Sequence, residues 1–416
     1  MTATARIAPT GTVYGLRRAA LFLSMLVSGG LPLFPREAIV MLIIVLCLAI
    51  TGLRLPPRRQ MWPLFMLLVA VLFVTLVRPG PTSVSSLFSR FAIYIAAVLM
   101  LQVYLRAPAG SLVADMKALL WPMVLQAIAT VVLAHAANFL FMPISLGEAK
   151  YQTLLLIFTY HTTVEGLSSV IRPDGFFFEP GVFQIYLNLY LYLALFSIRR
   201  PAPIALATLA VFATQSTTGL LICLILLGTA LAQRLSGGTL RHRAGAVALA
   251  MALAPPLLYI GYDNISDKLF GGAQGSSWAR EYDFYTGLNI AAEHPWLGIG
   301  FEVQRYVAES GRVGFEDTQL NASLIDDRPT SNGLVQLFYS LGFPLALTFM
   351  VGIFRQRLFR HCGLIGLWLC LSLFSEALMF TPFFLFIIFS AFLVRPAARL
   401  AKPRPAARLA AHEATA

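Results

Sequence analysis

Ionisable side chains are scarce in this sequence: 12% of its residues are Asp, Glu, Lys or Arg, against 58% hydrophobic, with a mean hydropathy of +0.75. A chain so poor in charge cannot clothe a soluble surface of its size. Cysteine is equally sparse. Cys47, Cys223, Cys362 and Cys370 all fall in apolar stretches, which argues against a disulfide framework and a thiolate metal site. P-loop, HExxH and CxxC patterns are missing, and Gly298 and Gly300 follow no clear strand and lack a third glycine, so a dinucleotide fingerprint is rejected.

What the sequence has instead is long apolar runs. Twelve candidate spans are expected at 19–35, 37–53, 61–77, 88–105, 119–142, 176–198, 202–214, 218–233, 244–262, 332–353, 362–379 and 382–394. The expected fold is an all-α integral membrane bundle of about 12 transmembrane helices with one large periplasmic loop. Lys and Arg are retained on the cytoplasmic side. With both termini inside, 21 of the 31 bases face the cytoplasm and 17 of the 19 acids face out. The formal net charge of +12 therefore reflects membrane orientation, and nucleic-acid binding is a poor reading of it.

The same topology divides the chain into a cytoplasmic N-terminus (1–18), nine spans (19–262) with a smaller periplasmic loop at 143–175, a large periplasmic loop (263–331), three further spans (332–394) and a basic cytoplasmic tail (395–416). The first apolar run is expected to be retained as a span, with no removable signal peptide. Within the smaller loop, the short run Tyr151 to Tyr160 has an aromatic at each end and suits the membrane interface. The large loop is expected to hold short helices between Gly-rich turns, one around Arg280 to Glu293. Only Asp115 and Glu413 face the cytoplasm, too few for a cytosolic nucleotide and metal site. Energy for a reaction must come from a substrate already at the outer face or from an ion gradient.

Four polar constellations remain. In Arg172-Pro173-Asp174-Gly175-Phe176-Phe177-Phe178-Glu179-Pro180-Gly181, the backbone turns, three rings enter the apolar layer, and Arg172 stays at the boundary with a planar fork suited to phosphate. The plain alternative is an interface Arg paired with Asp174. Glu179, a carboxylate at the head of an apolar run, must pair, face water or carry a proton. A second group runs Ser277-Trp278-Ala279-Arg280, then Glu293-His294-Pro295-Trp296-Leu297-Gly298-Ile299-Gly300. Arg280 can face Arg172 across the bundle mouth, two forks able to bind a diphosphate, and His294 is a candidate base against a purely structural His. The third, Asp326-Asp327-Arg328-Pro329-Thr330-Ser331-Asn332, offers Asp327 as a base and Arg328 and Asn332 as binding groups, or else a solvated helix start. The fourth is the turn Gln215-Ser216-Thr217-Thr218-Gly219, whose Ser216 and Thr217 are candidate binding hydroxyls. Glu376 is the other carboxylate within an expected span, in a pairing or functional role.

In this order, these features resemble the bacterial O-antigen polymerase and O-antigen ligase (Wzy/WaaL) superfamily, over Arg172 to Leu347. The resemblance rests on the Arg-x-x-Gly-aromatic-x-x-x-Pro opening of a span at Arg172, the polar turn at Gln215 to Gly219, and the loop from Arg280 through His294-Pro295-Trp296-Leu297-Gly298-Ile299-Gly300 to Asn332 and Leu341-Gly342. It implies metal-independent, inverting glycan transfer from an undecaprenyl diphosphate carrier at the outer face of the bacterial inner membrane, with no cofactor and with Arg172 and Arg280 gripping the diphosphate. Implied partners are the lipid-linked oligosaccharide, membrane lipids, and a flippase and chain-length regulator of the same pathway. Ligases of the family commonly carry a His shortly before the Asn, where this chain has Thr330-Ser331-Asn332. That departure favours a repeat-unit polymerase of the exopolysaccharide, xanthan type, with Glu179, His294 or Asp327 as base. The rival readings are a ligase acting on lipid A core, a flippase or exporter, and an assembly scaffold. A transport path across the membrane would need polar groups spread through the bundle, whereas Gln126, His135, Asn138 and Asn188 are few.

Overall fold

The computed structural model describes residues 11–33, 35–52, 58–77, 83–146, 149–162, 171–237, 274–313 and 330–394. Its helices are α1 (Gly11–Val27), α2 (Arg36–Thr51), α3 (Arg58–Val77), α4 (Val84–Arg106), α5 (Ser111–Ala136), α6 (Pro180–Leu193, continued by a π turn to Ile198), α7 (Pro201–Ala213), α8 (Thr217–Gly237), α9 (Gln274–Glu293), α10 (Val303–Val313), α11 (Gly333–Phe354), α12 (Cys362–Ser375) and α13 (Pro382–Phe389). Each expected span within the described residues is helical over most of its length, but the helices stop short of the expected bounds at 28–33, 137–142, 176–179 and 376–379. Among the described residues six helices are long and apolar enough to cross a membrane: Gln60–Val77, Val84–Arg106, Ser111–Ala136, Pro180–Ile198, Thr217–Ser236 and Gly333–Phe354. The stretches at α7, α12 and α13 form shorter apolar helices, and the expected span 244–262 and the basic tail lie outside the described residues. The protein is thus a mainly helical membrane protein, and α6 and α13 form the centre of its apolar core.

One element corrects the all-α expectation. The segment after α5 forms a four-stranded antiparallel sheet, β1 (Met142–Leu146), β2 (Ala149–Leu154), β3 (Phe158–Thr162) and β4 (Ile171–Pro173), in sequential order. The run from Tyr151 to Tyr160 is therefore a hairpin, with Leu154 paired to Phe158. Its turn holds Leu155 and Leu156 at φ of 59° and 58°, a conformation that β-turn residues such as Gly or Asn usually supply. Thr153 and Thr159 hydrogen-bond across the strands at 3.0 Å, and Gln126 of α5 donates to the carbonyl of Ile157 in the turn. That bond satisfies a backbone group which would otherwise be left unpaired against the bundle.

The sheet is what fixes the segment leading into α6. Asp174 N and Gly175 N both donate to Thr159 O, and His161 pairs with Arg172 in the β3–β4 register. The chain after α1 grips the same segment from the other side: Leu31 N donates to Phe176 O and Phe178 N to Gly29 O. Phe177 is then buried, its ring stacked on Tyr186 of α6 with centroids 4.7 Å apart.

A second clamp joins the end of α9 to α11. Gly342 breaks the α11 backbone at φ 74°, ψ 165°, and its freed neighbours bond to the loop that follows α9. Ile299 N donates to Tyr339 O at 2.6 Å, Gly300 N to Ser340 O at 3.1 Å, and Phe343 N to Pro295 O at 2.7 Å. Gly298 must be glycine here: it sits at φ +62°, and a Cβ would lie 2.5 Å from Tyr339 O. Two separated sequence motifs, residues 294–300 and Leu341-Gly342, are therefore halves of one backbone joint.

Candidate active site

The site assembles at the end of the bundle that carries the sheet, and backbone geometry delivers each of its groups. Arg172 projects from β4 and its Nε donates to Thr214 O at 3.1 Å, which docks it on the turn between α7 and α8. Ser216 in that turn caps α8, its Oγ accepting from Gly219 N at 3.3 Å. Arg280 lies in α9 one turn before Phe284, whose ring packs on Phe374 of α12 with centroids 5.6 Å apart. That packing brings Arg280 Nη2 to 4.0 Å from Oε1 of Glu376. The α12 helix ends at Ser375, so Glu376 stands in the turn toward α13 with extended backbone.

Glu179 is the residue that α6 starts on, with Pro180 at the first helical position, where a missing N–H costs nothing. Its carboxyl stands beside the Glu376 carboxyl, both against Gly181. Gly181 makes room for the pair: a Cβ there would lie 2.5 Å from Glu376 Oε1 and 3.3 Å from Glu179 Oε1. The N-terminus of α11 closes the site from below, because a Cβ at Gly333 would lie 2.6 Å from Glu376 O. Glu376 is buried, and its Oε1 has no hydrogen-bond donor.

The two arginines sense each other. Burial pulls Arg172 below the usual Arg value, Asp174 and Glu179 oppose that pull, and Arg280 adds to it by like-charge repulsion. Two guanidinium groups that repel across a half-buried site are relieved by an anion, and the α6 and α11 N-termini add the positive ends of their dipoles. Asp174, which the sequence offered as a structural partner for Arg172, instead takes the ring of His161, with Nδ1 3.0 Å and 3.1 Å from its two oxygens. Burial chiefly raises the Asp174 carboxyl to about 6, although the His161 hydrogen bond and charge and the Arg172 charge lower it.

Arg172, Glu179, Arg280 and the turn holding Ser216 and Thr217 are therefore brought to one end of the fold, joined by Glu376. His294 is not brought to the arginines. It follows the last residue of α9, 14 residues beyond Arg280, which is roughly 20 Å along the helix axis. There its Nε2 lies 3.7 Å from Glu309. Glu293, His294 and Glu309 offer ligand atoms within 4.8 Å of one another, but Arg312 already bridges both carboxylates. Asn332 caps α11, its Oδ1 accepting from Leu334 N at 3.1 Å and Val335 N at 3.0 Å, so that oxygen is committed to the helix. Asp327 and Arg328 lie outside the described residues. Two groups at this end escaped the sequence reading. His161 gave no signal because its strand was not foreseen, and Asp283 was one acid among many in a polar loop. Asp283 Oδ2 accepts from Ser331 N at 2.9 Å and Ser331 Oγ at 2.6 Å, tying α9 to the start of α11.

The fold and site define a polytopic helical membrane protein with an anion-attracting, acid-containing site at one end of the bundle. Residues 202–350 match the family model described as O-Antigen ligase. The match runs from α7 into α11, covering Ser216, Thr217, Arg280, His294 and Asn332. Arg172, Glu179 and Glu376 lie outside it and join through the tertiary structure. Searches among curated proteins and solved structures found no match.

Proposed function

We propose that this protein polymerises undecaprenyl-diphosphate-linked oligosaccharide repeat units into exopolysaccharide, at the periplasmic face of the bacterial inner membrane. The observation that carries the reading is the gathering of Glu179, Glu376, Arg280 and Arg172 at one end of an otherwise apolar bundle. In this reading both termini are cytoplasmic, the sheet and the loop bearing α9 and α10 are periplasmic, and a flippase delivers the donor while a chain-length regulator limits the product. Arg172 and Arg280 bind the diphosphate bidentately and stabilise it as it leaves, which makes a metal unnecessary. Glu179 accepts the proton of the attacking sugar hydroxyl. Attack opposite the departing diphosphate inverts the anomeric centre.

The second reading is an O-antigen ligase, favoured by the description of the matching family. Against it stands the segment before Asn332, where no His occurs and the Ser331 hydroxyl is committed to Asp283. Deletion of the gene separates the readings. Accumulation of single lipid-linked repeat units on the periplasmic side is the expected outcome. Intact lipid-linked polymer would point to the ligase, and units held on the cytoplasmic side would point to a flippase.

A further inference from the structure

We infer that Glu376 is a positioning residue for Glu179: the two carboxyls share one proton, which fixes the Glu179 carboxylate and leaves a single negative charge between the arginines. This rests on the transfer reaction proposed above. Three observations carry it. The two carboxyls stand side by side over Gly181, and neighbouring acids in a buried site oppose each other's ionisation. Glycine at 181 lets both carboxyls approach, since a Cβ there would clash with Glu376 Oε1 at 2.5 Å and crowd Glu179 Oε1 at 3.3 Å. Glu376 is also the enclosed member, 5% exposed against a half-buried Glu179, and its Oε1 is buried with no hydrogen-bond donor. Arg280 at 4.0 Å is beyond hydrogen-bond distance. An enclosed carboxyl without a donor keeps the proton, and the one facing the mouth carries the charge.

The charged and titratable groups that face the pair are Arg280 from α9 and, through Glu179, Arg172 of β4, Asp174 after it and Tyr151 of β2. In the transfer step, the acceptor hydroxyl gives its proton to Glu179 and its oxygen forms the new bond to the anomeric carbon. The bond from that carbon to the phosphate oxygen breaks, and its electron pair leaves on undecaprenyl diphosphate. The pair then holds two protons and returns one to water. A glutamine at 376 would donate an N–H to Glu179 permanently, as a protonated Glu376 does, whereas a glutamine at 179 has no lone charge to receive the proton.

The test has two arms. Infrared spectra of the full-length protein in maltoside at neutral pH should show a protonated-carboxyl stretch that shifts in D2O, disappears on alkaline titration and is missing from Glu376→Gln. In membranes supplied with the lipid-linked repeat unit, Glu376→Gln should cost no more than roughly fivefold, because the amide keeps a donor on Glu179. It should also lose the alkaline limb of the rate profile. Glu179→Gln should cost at least about 100-fold. A wild-type spectrum without the band overturns the inference even if Glu376→Gln fails to fold, and so does a Glu376→Gln loss matching that of Glu179→Gln or an unchanged alkaline limb. The infrared arm needs no substrate. A wild-type protein that makes no polymer but shows the band would therefore overturn the function alone.

Discussion

The two ends of this bundle each bury a carboxylate and treat it in opposite ways. At the end away from the sheet, Asp115 at the head of α5 is 0% exposed and fully partnered: Arg17 Nε at 2.5 Å, Arg18 Nε at 3.0 Å and Tyr104 OH at 3.3 Å. Arg17 is itself 3% exposed and sits over the rings of Tyr14 and Tyr104. At the sheet end, Glu376 is nearly as deeply buried, yet Arg280 stands 4.0 Å away and the carboxyl's Oε1 has no hydrogen-bond partner. A buried charge that is fully paired ties helices together, here α1, α4 and α5, and has nothing left to offer a ligand. A buried acid left short of partners is held at a cost in stability, and such sites are where chemistry is expected.

The largest effects should therefore follow from changes at the sheet end, and they should appear in activity. Arg172→Ala or Arg280→Ala is expected to lower polymer formation by at least about 1,000-fold, because each removes charge aimed at the departing diphosphate. Protein level and membrane insertion should be unaffected, since neither arginine closes an ion pair at hydrogen-bond distance. Arg→Lys should restore little, for a point charge loses the two-pronged geometry. Polymer of normal length from both alanine variants would remove the distinction between the two ends.

At the opposite end the expected loss is in stability. Asp115→Ala strands Arg17, buried at 3% exposure, and should destabilise the bundle by about 3–5 kcal/mol. Thermal unfolding in detergent should show the loss, while polymer made per folded molecule should stay at the wild-type level. A variant of normal stability and impaired turnover would assign Asp115 to the reaction and reverse the comparison.

Charge scarcity explains why so much of the sheet end could be read from sequence. In a chain this apolar, Arg172, Glu179, Arg280 and Glu376 stand out against their surroundings, and the fold brings all four together. The same scarcity hid the sheet. Residues 151–160 are apolar enough to pass for a membrane-surface segment, and the turn uses two leucines in a left-handed conformation instead of Gly or Asn, so no turn signal was written. The motif from His294 to Gly300 was legible as a motif, but its partner in the fold was not. Its glycines and carbonyls bond to the kink in α11, a role carried by backbone atoms that residue types do not announce. The pairing of Glu179 with Glu376, nearly two hundred residues apart in the chain, depends on how α6 and α12 pack and leaves no local trace.

The smallest of these effects concerns a third buried acid, intermediate between the other two. Asp174 at the sheet end is 0% exposed like Asp115, but its nearest cationic partner is the ring of His161, which is itself titratable, at 3.0 Å. Burial outweighs that partner and sets the carboxyl at about 6, above an unfolded value of about 4. The fold therefore prefers the protonated form. Its contribution is fully present below pH ~4 and is lost as the pH rises through ~6, by up to about 3 kcal/mol. Asp174→Asn removes the titration while keeping the shape. Thermal unfolding of the two proteins from pH 4 to pH 7 should show wild type losing ground to the variant as pH rises, and then a constant difference above the upper value. Parallel curves across that range would mean that His161 neutralises Asp174 as completely as Arg17 and Arg18 neutralise Asp115. The sheet end would then hold one locked acid beside its working pair.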